Sequence, residues 1–363
     1  MGANDILAEL LAVPPERRLG LRALLDALAN ARRVVLTTHV QADGDAIGSE
    51  VAAAAWLRAR GTTTTIVNPT AVPDPLRFLL APDDTVLEWD RDPAACQRAL
   101  ADADFLLVLD VSAPNRLGPV AQALERLPVG VLDHHEPEGP VLEGIGVRDP
   151  AAAATGEVVY DLIRCADGPW PERAVVGIYV ALVSDTGSFR FTNTTPRAHL
   201  VAADLLARGV DPEQVYRHLF GSMPWSRVQL LREALAHLHR EEEPLTWIFL
   251  PREAIDRARA DHADFDGLID VARSVEGTEV ALLIRELPNG RTKISFRSNG
   301  PVDVLPLAQQ FGGGGHRKAA AAVLDLPPQE AIPRVLDAVR RALHDLGLER
   351  RAASDAPVIS ASR

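Results

Sequence analysis

The segment THVQADGDAIGSE, residues 38 to 50, places His39, Asp43 and Asp45 within seven residues, directly after the apolar run VVLTT. An imidazole and two carboxylates at that spacing need a cation, or several hydrogen bonds, to satisfy them. More groups of the same kind follow. Asp110 closes LLVLD, Asp133, His134 and His135 close VGVLDHH, and Asp185 ends an apolar stretch in ALVSDTGSF. Five carboxylates at one edge raise one another's pKa and destabilise the fold, and divalent cations relieve the repulsion. A mixed His and carboxylate set suits Mn²⁺ better than Mg²⁺, which prefers oxygen ligands and waters. Two ions about 3.5–4 Å apart, sharing one bridging carboxylate, would hold a hydroxide and clamp a phosphate for in-line displacement. A lone Asp at a strand end usually caps a turn, and a lone His-His pair usually lies on the surface. The whole set has no such explanation.

The surrounding pattern supplies the elements that would position these groups. Residues 16–30 carry leucines at helical spacing. Apolar runs at 32–39, 63–67, 104–111 and 128–135 alternate with Ala- and Leu-rich helical segments, the pattern of a parallel sheet covered on both faces. Ligands of such sheets sit at the carboxyl ends of strands, near the point where strand order reverses. Residues 155–220 read as helical, including 171–185 with Pro171 in the first turn. The amphipathic stretch 223–244 reads as a helical linker. Beyond it, strands are expected at 245–250, 279–287 and 291–298, with LPNG as a hairpin turn between the last two. A helix at 303–311, a strand at 319–326 and a helix at 328–346 complete the chain's second half. The expected architecture is α/β: a domain over 1–222 with a mostly parallel sheet flanked by helices, the linker 223–244, a smaller α/β domain over 245–346, and a disordered tail over 347–363.

Composition narrows the function. The 363 residues carry a formal charge of −12, which argues against coating long duplex nucleic acid, since that needs a basic footprint. No apolar run is long enough for a membrane helix, and the N-terminal residues show no secretory signal pattern. The two cysteines, Cys96 and Cys165, form no metal or disulfide spacing, so a cytoplasmic address is expected. Charge reverses locally. Between residues 285 and 318, Arg285, Arg291, Lys293, Arg297, Arg317 and Lys318 face only Glu286 and Asp303. Inside this stretch lies FGGGGHRK, where Gly313, Gly314 and Gly315 would let backbone N–H groups close on an anion. Arg116, Arg190 and Phe191 are further candidates for reaching a ligand, Phe191 by offering its face to a base, although core packing is the stronger expectation for Phe191. His199, His218, His237, His239 and His262 lie on helical stretches and read as structural or exposed.

The motifs HVQADGDAIGS, VLDVS, LDHH and SDTGSF resemble those of the DHH phosphoesterase superfamily, and RSNGPVDVLPLAQQFGGGGHRKAA resembles its DHHA1 substrate-binding domain. Together they are similar to the branch of NrnA-type oligoribonucleases and 3′-phosphoadenosine 5′-phosphate phosphatases. The resemblance implies a DHH catalytic domain and a DHHA1 domain with two Mn²⁺ ions, Mg²⁺ or Co²⁺ being alternatives. It implies one ion held by His39, Asp43 and Asp110 and a second held by Asp45, Asp110, His134 and Asp185, with Asp110 bridging. His135 would face the substrate phosphate, Asp133 would orient the histidines, and Arg297, Ser298 and His316 would contact ligand. Implied substrates are short RNA, the bisphosphate nucleotide, and linear or cyclic diadenylates. Rival expectations are a RecJ-like single-strand exonuclease, an inorganic pyrophosphatase or exopolyphosphatase, and a non-catalytic cyclic-dinucleotide sensor. A homodimer is left open. Ala42 and Ala321 stand where the family usually has proline and glycine; neither position supplies a ligand.

Overall fold

A computed structural model describes residues 10–136, 139–261, 263–265 and 267–348. His262 and residues 349–363 of the expected tail lie outside them. The chain divides into two compact units, the first ending at Ser222 and the second beginning at Met223.

In the first unit, helix α1 (Pro15–Leu28) precedes six strands: β1 (Arg33–Thr37), β2 (Thr63–Asn68), β3 (Val86–Glu88), β4 (Phe105–Leu109), β5 (Val129–Asp133) and β6 (Ile145–Arg148). Their spatial order is β3-β2-β1-β4-β5-β6, and every pairing is parallel. The short strands β3 and β6 were not expected from sequence. Order therefore reverses between β1 and β4, which pair Val34 with Phe105 through Thr37 with Val108. Alternation along the strands feeds two cores. Leu36, Leu107 and Leu109 face one side, while Val35, Leu106 and Val108 face the other.

Helix α2 (Gly44–Ala59) follows β1 and α3 (Pro93–Asp102) precedes β4; α4 (Thr155–Cys165), α5 (Glu172–Asp185), α6 (Pro196–Ala207) and α7 (Pro212–Leu219) come after the sheet. Asp43 caps α2, its Oδ1 accepting from the amides of Asp45 and Ala46 at 3.0 and 3.1 Å. From Gly44 to Leu57 α2 is wholly buried, its AAAA run giving little bulk. Glycines make the closest approach. A Cβ on Gly48 would stand 2.4 Å from the Gly177 carbonyl oxygen on α5, and one on Gly177 2.5 Å from that of Gly48. At Gly44 it would meet Ser184 Oγ, and at Gly156 of α4 the Ala181 methyl, both at 2.4 Å. These contacts seat the start of α2 and of α4 against the end of α5.

The second unit is built by α8 (Trp225–Ala236), β7 (Leu238–Arg240), β8 (Leu245–Leu250), α9 (Arg252–Ala258), α10 (Leu268–Arg273), β9 (Val280–Glu286), β10 (Thr292–Ser298), α11 (Leu305–Gln309), β11 (Gly314–His316), β12 (Ala319–Leu324) and α12 (Pro328–Asp345). The stretch 223–244 is thus not helical throughout. Leu238–Arg240 adds an antiparallel edge strand beside β8, so His239 sits on a strand and stacks on Trp247 at 4.0 Å. Sheet order is β11-β12-β10-β9-β8-β7, with only β8 and β9 parallel. The LPNG turn closes with Gly290 at φ 74 and the Leu287 amide bonded to Arg291 O, a three-residue loop ending in a bulge. The glycine run, expected to close on an anion, contributes β11.

Valine at Gly48 has no space to enter. Gly48→Val is expected to destabilise the first unit by about 1–3 kcal/mol, read from its urea midpoint. Gly314→Ala, whose Cβ meets nothing within 4 Å, should change stability by less than about 0.5 kcal/mol.

Candidate metal centre

The point of strand reversal is where the acids and histidines gather. His39 follows β1 and Asp110 follows β4, and His39 Nε2 lies 3.5 Å from Asp110 Oδ2. Asp110 is held at φ 61, a left-handed conformation that costs an aspartate about 1–3 kcal/mol. His134, past the end of β5, turns Nε2 to within 3.5 Å of Asp45 Oδ2, 3.5 Å of Asp185 Oδ2 and 3.7 Å of Asp110 Oδ1. Donor atoms of His39, Asp43 and Asp110 form one group within 4.8 Å of one another, and those of Asp45, His134 and Asp185 form another. A third overlapping group joins Asp110, His134 and His135.

One segment ties these side chains down. The backbone amides of Thr155 and Gly156, opening α4, donate to the two oxygens of Asp45 at 2.7 and 2.9 Å. Thr155 Oγ1 donates to Asp110 Oδ1 at 2.9 Å. The carbonyl of Ala152 lies 3.2 Å from His134 Nδ1. Asn193 Nδ2 reaches the Ala153 carbonyl at 2.9 Å and Asp185 Oδ2 at 3.1 Å. Ser49 Oγ completes the shell of Asp45 at 3.1 Å. A buried charge network braces the segment from behind: Arg17 bonds Asp149, Glu157 and Asp161, and Arg197 bonds Glu157 and Asp161. None of Thr155, Asn193, Ser49 or Arg17 was singled out from sequence.

The residues fit divalent cations. The Nδ1 atoms of His39 and His134 lie against the carbonyls of Val40 and Ala152 at 2.9 and 3.2 Å, which holds the proton there and leaves the Nε2 lone pairs facing the acids. Burial lowers the His39 pKa, keeping that ring neutral. The 3.5 Å gaps are long for hydrogen bonds but match two donors on one ion, about 3.0–3.5 Å apart at usual ligand distances. Burial, then the neighbouring Asp110, pushes Asp45 well above the ordinary carboxylate range. Burial, then Asp43, does the same to Asp110, and burial also raises Asp185.

His135 differs from its neighbour. Its Nδ1 lies 2.8 Å from Asp133 Oδ1, and that hydrogen bond pushes the imidazole pKa up to about 9. Asp133 also accepts the amides of His134 and His135. Although burial would raise Asp133, its hydrogen bonds with the His135 ring and Ser112 hold it below its usual value. His135 thus gives its Nδ1 proton to Asp133 and presents a ring that is 42% exposed at the rim.

In the second unit, cross-strand register places Arg297, Ala319 and His316 in one row over β10, β12 and β11, so Arg297 and His316 share a face across a small alanine. Ser298 alternates to the other face and is buried, and so is not brought to them. Gly313 and Gly315 have a steric role: a Cβ at either would stand 2.1 or 2.5 Å from a carbonyl oxygen of β12. The Gly313 amide already donates to Ala308 O at 2.9 Å, so it has no proton left for an anion. Gly314 is exposed and open. The backbone of Arg116 lies beside the first unit's site, its carbonyl accepting the amide of Val40, next to His39, at 2.8 Å. Phe191, expected in the core, is 57% exposed. His199 and His218 stack on Phe189 and Phe78, and His237 Nδ1 lies 2.8 Å from Glu233 O.

A parallel sheet with His and Asp converging at its reversal point, followed by a mixed-sheet unit with a glycine-rich edge, defines a class. Residues 33–181 match the model of the DHH family N-terminal domain, and residues 253–345 match that of the DHHA1 domain. A bifunctional oligoribonuclease and PAP phosphatase NrnA from Thermus thermophilus is 35% identical over 317 residues, covering 86% of this chain and 91% of that protein. Its Bacillus subtilis counterpart is 25% identical, over 80% and 88%. The crystal structure of an exopolyphosphatase-related protein from Bacteroides fragilis shares the fold with a TM-score of 0.80 at 24% identity, over 92% of this chain and 98% of that one. The chain belongs to the DHH family of phosphoesterase hydrolases, in its DHH–DHHA1 form. No helix among the described residues is long and apolar enough to cross a membrane.

The raised carboxylates give a linkage test. Without a cation, the folded state keeps protons on Asp45 and Asp110 that the unfolded chain releases above about pH 4. Stability is then lost as pH rises toward the folded pKa values, and a bound cation removes that loss. The rise in melting temperature on adding Mn²⁺ to chelator-treated protein should be larger at pH 8 than at pH 5.5. A pH-independent rise would show that these acids do not share the ion.

Proposed function

We propose that this chain is a divalent-cation-dependent phosphoesterase, with manganese as the resident ion, that hydrolyses short oligoribonucleotides and 3′-phosphoadenosine 5′-phosphate to mononucleotides. Linear and cyclic diadenylates are further candidate substrates. The supporting observation is the pair of donor groups meeting at Asp110, His39 and Asp43 on one side and Asp45, His134 and Asp185 on the other. The kinship with NrnA proteins supports the choice of substrate.

His39, Asp43 and Asp110 would hold one cation, and Asp45, Asp110, His134 and Asp185 a second, with Asp110 common to both. Bound there, such cations supply the positive charge that activates water and polarises a phosphoryl group. The chain's own contribution is orientation and proton placement. Thr155 and the α4 amides keep Asp45 and Asp110 aimed at the rim. His135, oriented through Asp133, would when protonated donate from Nε2 to a phosphate oxygen and supply a proton to the departing oxygen. In the second unit, Arg297 and His316 would grip a ligand phosphate, a role the planar guanidinium suits better than an ammonium. Such a grip on a short ligand accounts for a nucleic-acid enzyme with an acidic chain.

Turnover should be tested against dinucleotides, longer single strands, 3′-phosphoadenosine 5′-phosphate, cyclic diadenylate and pyrophosphate, with Mn²⁺ and with chelator. Hydrolysis confined to pyrophosphate or to long strands would overturn the substrate reading, and binding of cyclic diadenylate without any turnover would favour a sensor. Loss of a partner that merely orients a ligand costs about 10–100-fold. Asp110→Ala is therefore expected to lower kcat by more than about a hundredfold; activity within tenfold of the parent rejects a shared ligand. Arg297→Ala should raise KM about tenfold, a typical loss for one charged hydrogen bond, with kcat little changed. The reverse split would contradict the grip.

A further inference from the structure

The sequence SFRF, residues 188 to 191, sends its two phenylalanines in opposite directions. Phe189 is half-buried and stacks on His199 at 4.8 Å. Phe191 is 57% exposed, forfeiting the burial that usually places a phenyl ring. The exposure does not come from a loose loop. The amides of Arg190 and Phe191 both donate to Thr186 O, at 2.9 and 3.0 Å, and Thr194 N donates to Phe191 O at 3.1 Å. Ser188 and Phe189 are held in the left-handed region, at φ 59 and 63, so the turn is fixed by backbone geometry.

Gly187 provides the seat for the exposed ring. A Cβ there would stand 2.5 Å from two carbons of Phe191, so one ring face rests on a residue with no side chain. Gly187 itself is at φ 56. The same turn carries Arg190, exposed, with its Nε fixed to Gly187 O at 2.6 Å. Asn193, two residues on, bonds Asp185 Oδ2, which ties the turn to the candidate metal centre. A flat aromatic face and a guanidinium, both rigidly mounted beside a phosphate-cleaving centre, are the two parts of a single-strand nucleotide platform.

We infer that Phe191 is a stacking platform for the nucleobase of the substrate, held by Gly187 and flanked by Arg190. This rests on the phosphoester reading above and adds to it the part of the ligand that is recognised: the base, by its π face and without regard to sequence. Every nucleobase offers such a face, so the platform suits short oligonucleotides of mixed composition and gives no advantage to base-free phosphates.

The test separates base recognition from turnover. Binding of adenosine 5′-monophosphate and of ribose 5-phosphate is measured by calorimetry in Mn²⁺, for the parent, Phe191→Ala and Phe191→Tyr, alongside the melting temperature of each. The parent should prefer the nucleotide over the base-free sugar phosphate by at least about fivefold, the lower end for loss of one stacked base. Phe191→Ala should abolish that preference without lowering the melting temperature, and Phe191→Tyr should keep it. The inference is overturned if the parent shows no preference, if Phe191→Ala retains it, or if the alanine variant melts lower and so reveals a packing role. Because no hydrolysis is read, failure of the substrate panel would count against the proposed activity and leave this result standing on its own.

Discussion

The first unit depends on keeping several carboxylates close together and partly out of water. Asp45 and Asp110 are fully buried, with Asp43 and Asp185 alongside. That arrangement is unstable by itself, and the fold meets it with fixed dipoles. Within five residues, the Ala152 carbonyl, the Ala153 carbonyl acting through Asn193, the Thr155 amide and hydroxyl, and the Gly156 amide touch four of the candidate ligands. The Thr155 and Gly156 amides open helix α4, where unpaired N–H groups and the positive end of the helix dipole favour a neighbouring anion. The network of Arg17 and Arg197 with three acids, buried just behind, fixes where that helix begins. Most of its energy is spent offsetting desolvation, so its contribution is better seen as position than as stability.

The helices serve the same constraint. Asp43 closes the first turn of α2 and also lies among the ligand candidates, so the start of one helix is part of the site. Asp185 ends α5. Bringing those two ends together requires α2 and α5 to cross at backbone distance, which the paired glycines 48 and 177 permit. Chemistry at the rim and packing below it are consequences of one crossing.

Much of this was legible in the chain. Ligand types closing successive apolar runs gave the edge of the sheet, because strand ends and reversal points follow from pattern and topology. His39, Asp43, Asp45, Asp110, His134 and Asp185 were all identified that way or by family motif, and they do converge. What stayed hidden has physical reasons. Backbone donors such as those of Thr155 and Gly156 have no residue signature. Strands as short as β3 and β6 leave no period to read. Ser298 sits beside Arg297 in sequence, but strand alternation sends it to the opposite face. The glycine run looked like a cradle because glycine frees the backbone, yet Gly313 and Gly315 are small so that β11 can lie against β12. For Phe191 residue type favoured the core over a place facing a ligand, and the turn at Gly187 settles it outward.

The Gly48–Gly177 contact has a consequence for the spacing at the rim. A helix crossing with no side chain between its backbones has no slack to open or close, so the gap between the start of α2 and the end of α5 is set by van der Waals radii. Changes in spacing between Asp45 and Asp185 fall to side-chain rotation, because the backbones beneath already touch. The width of the rim is thus governed from below, by two residues that bear no side chain and stand apart from every candidate ligand.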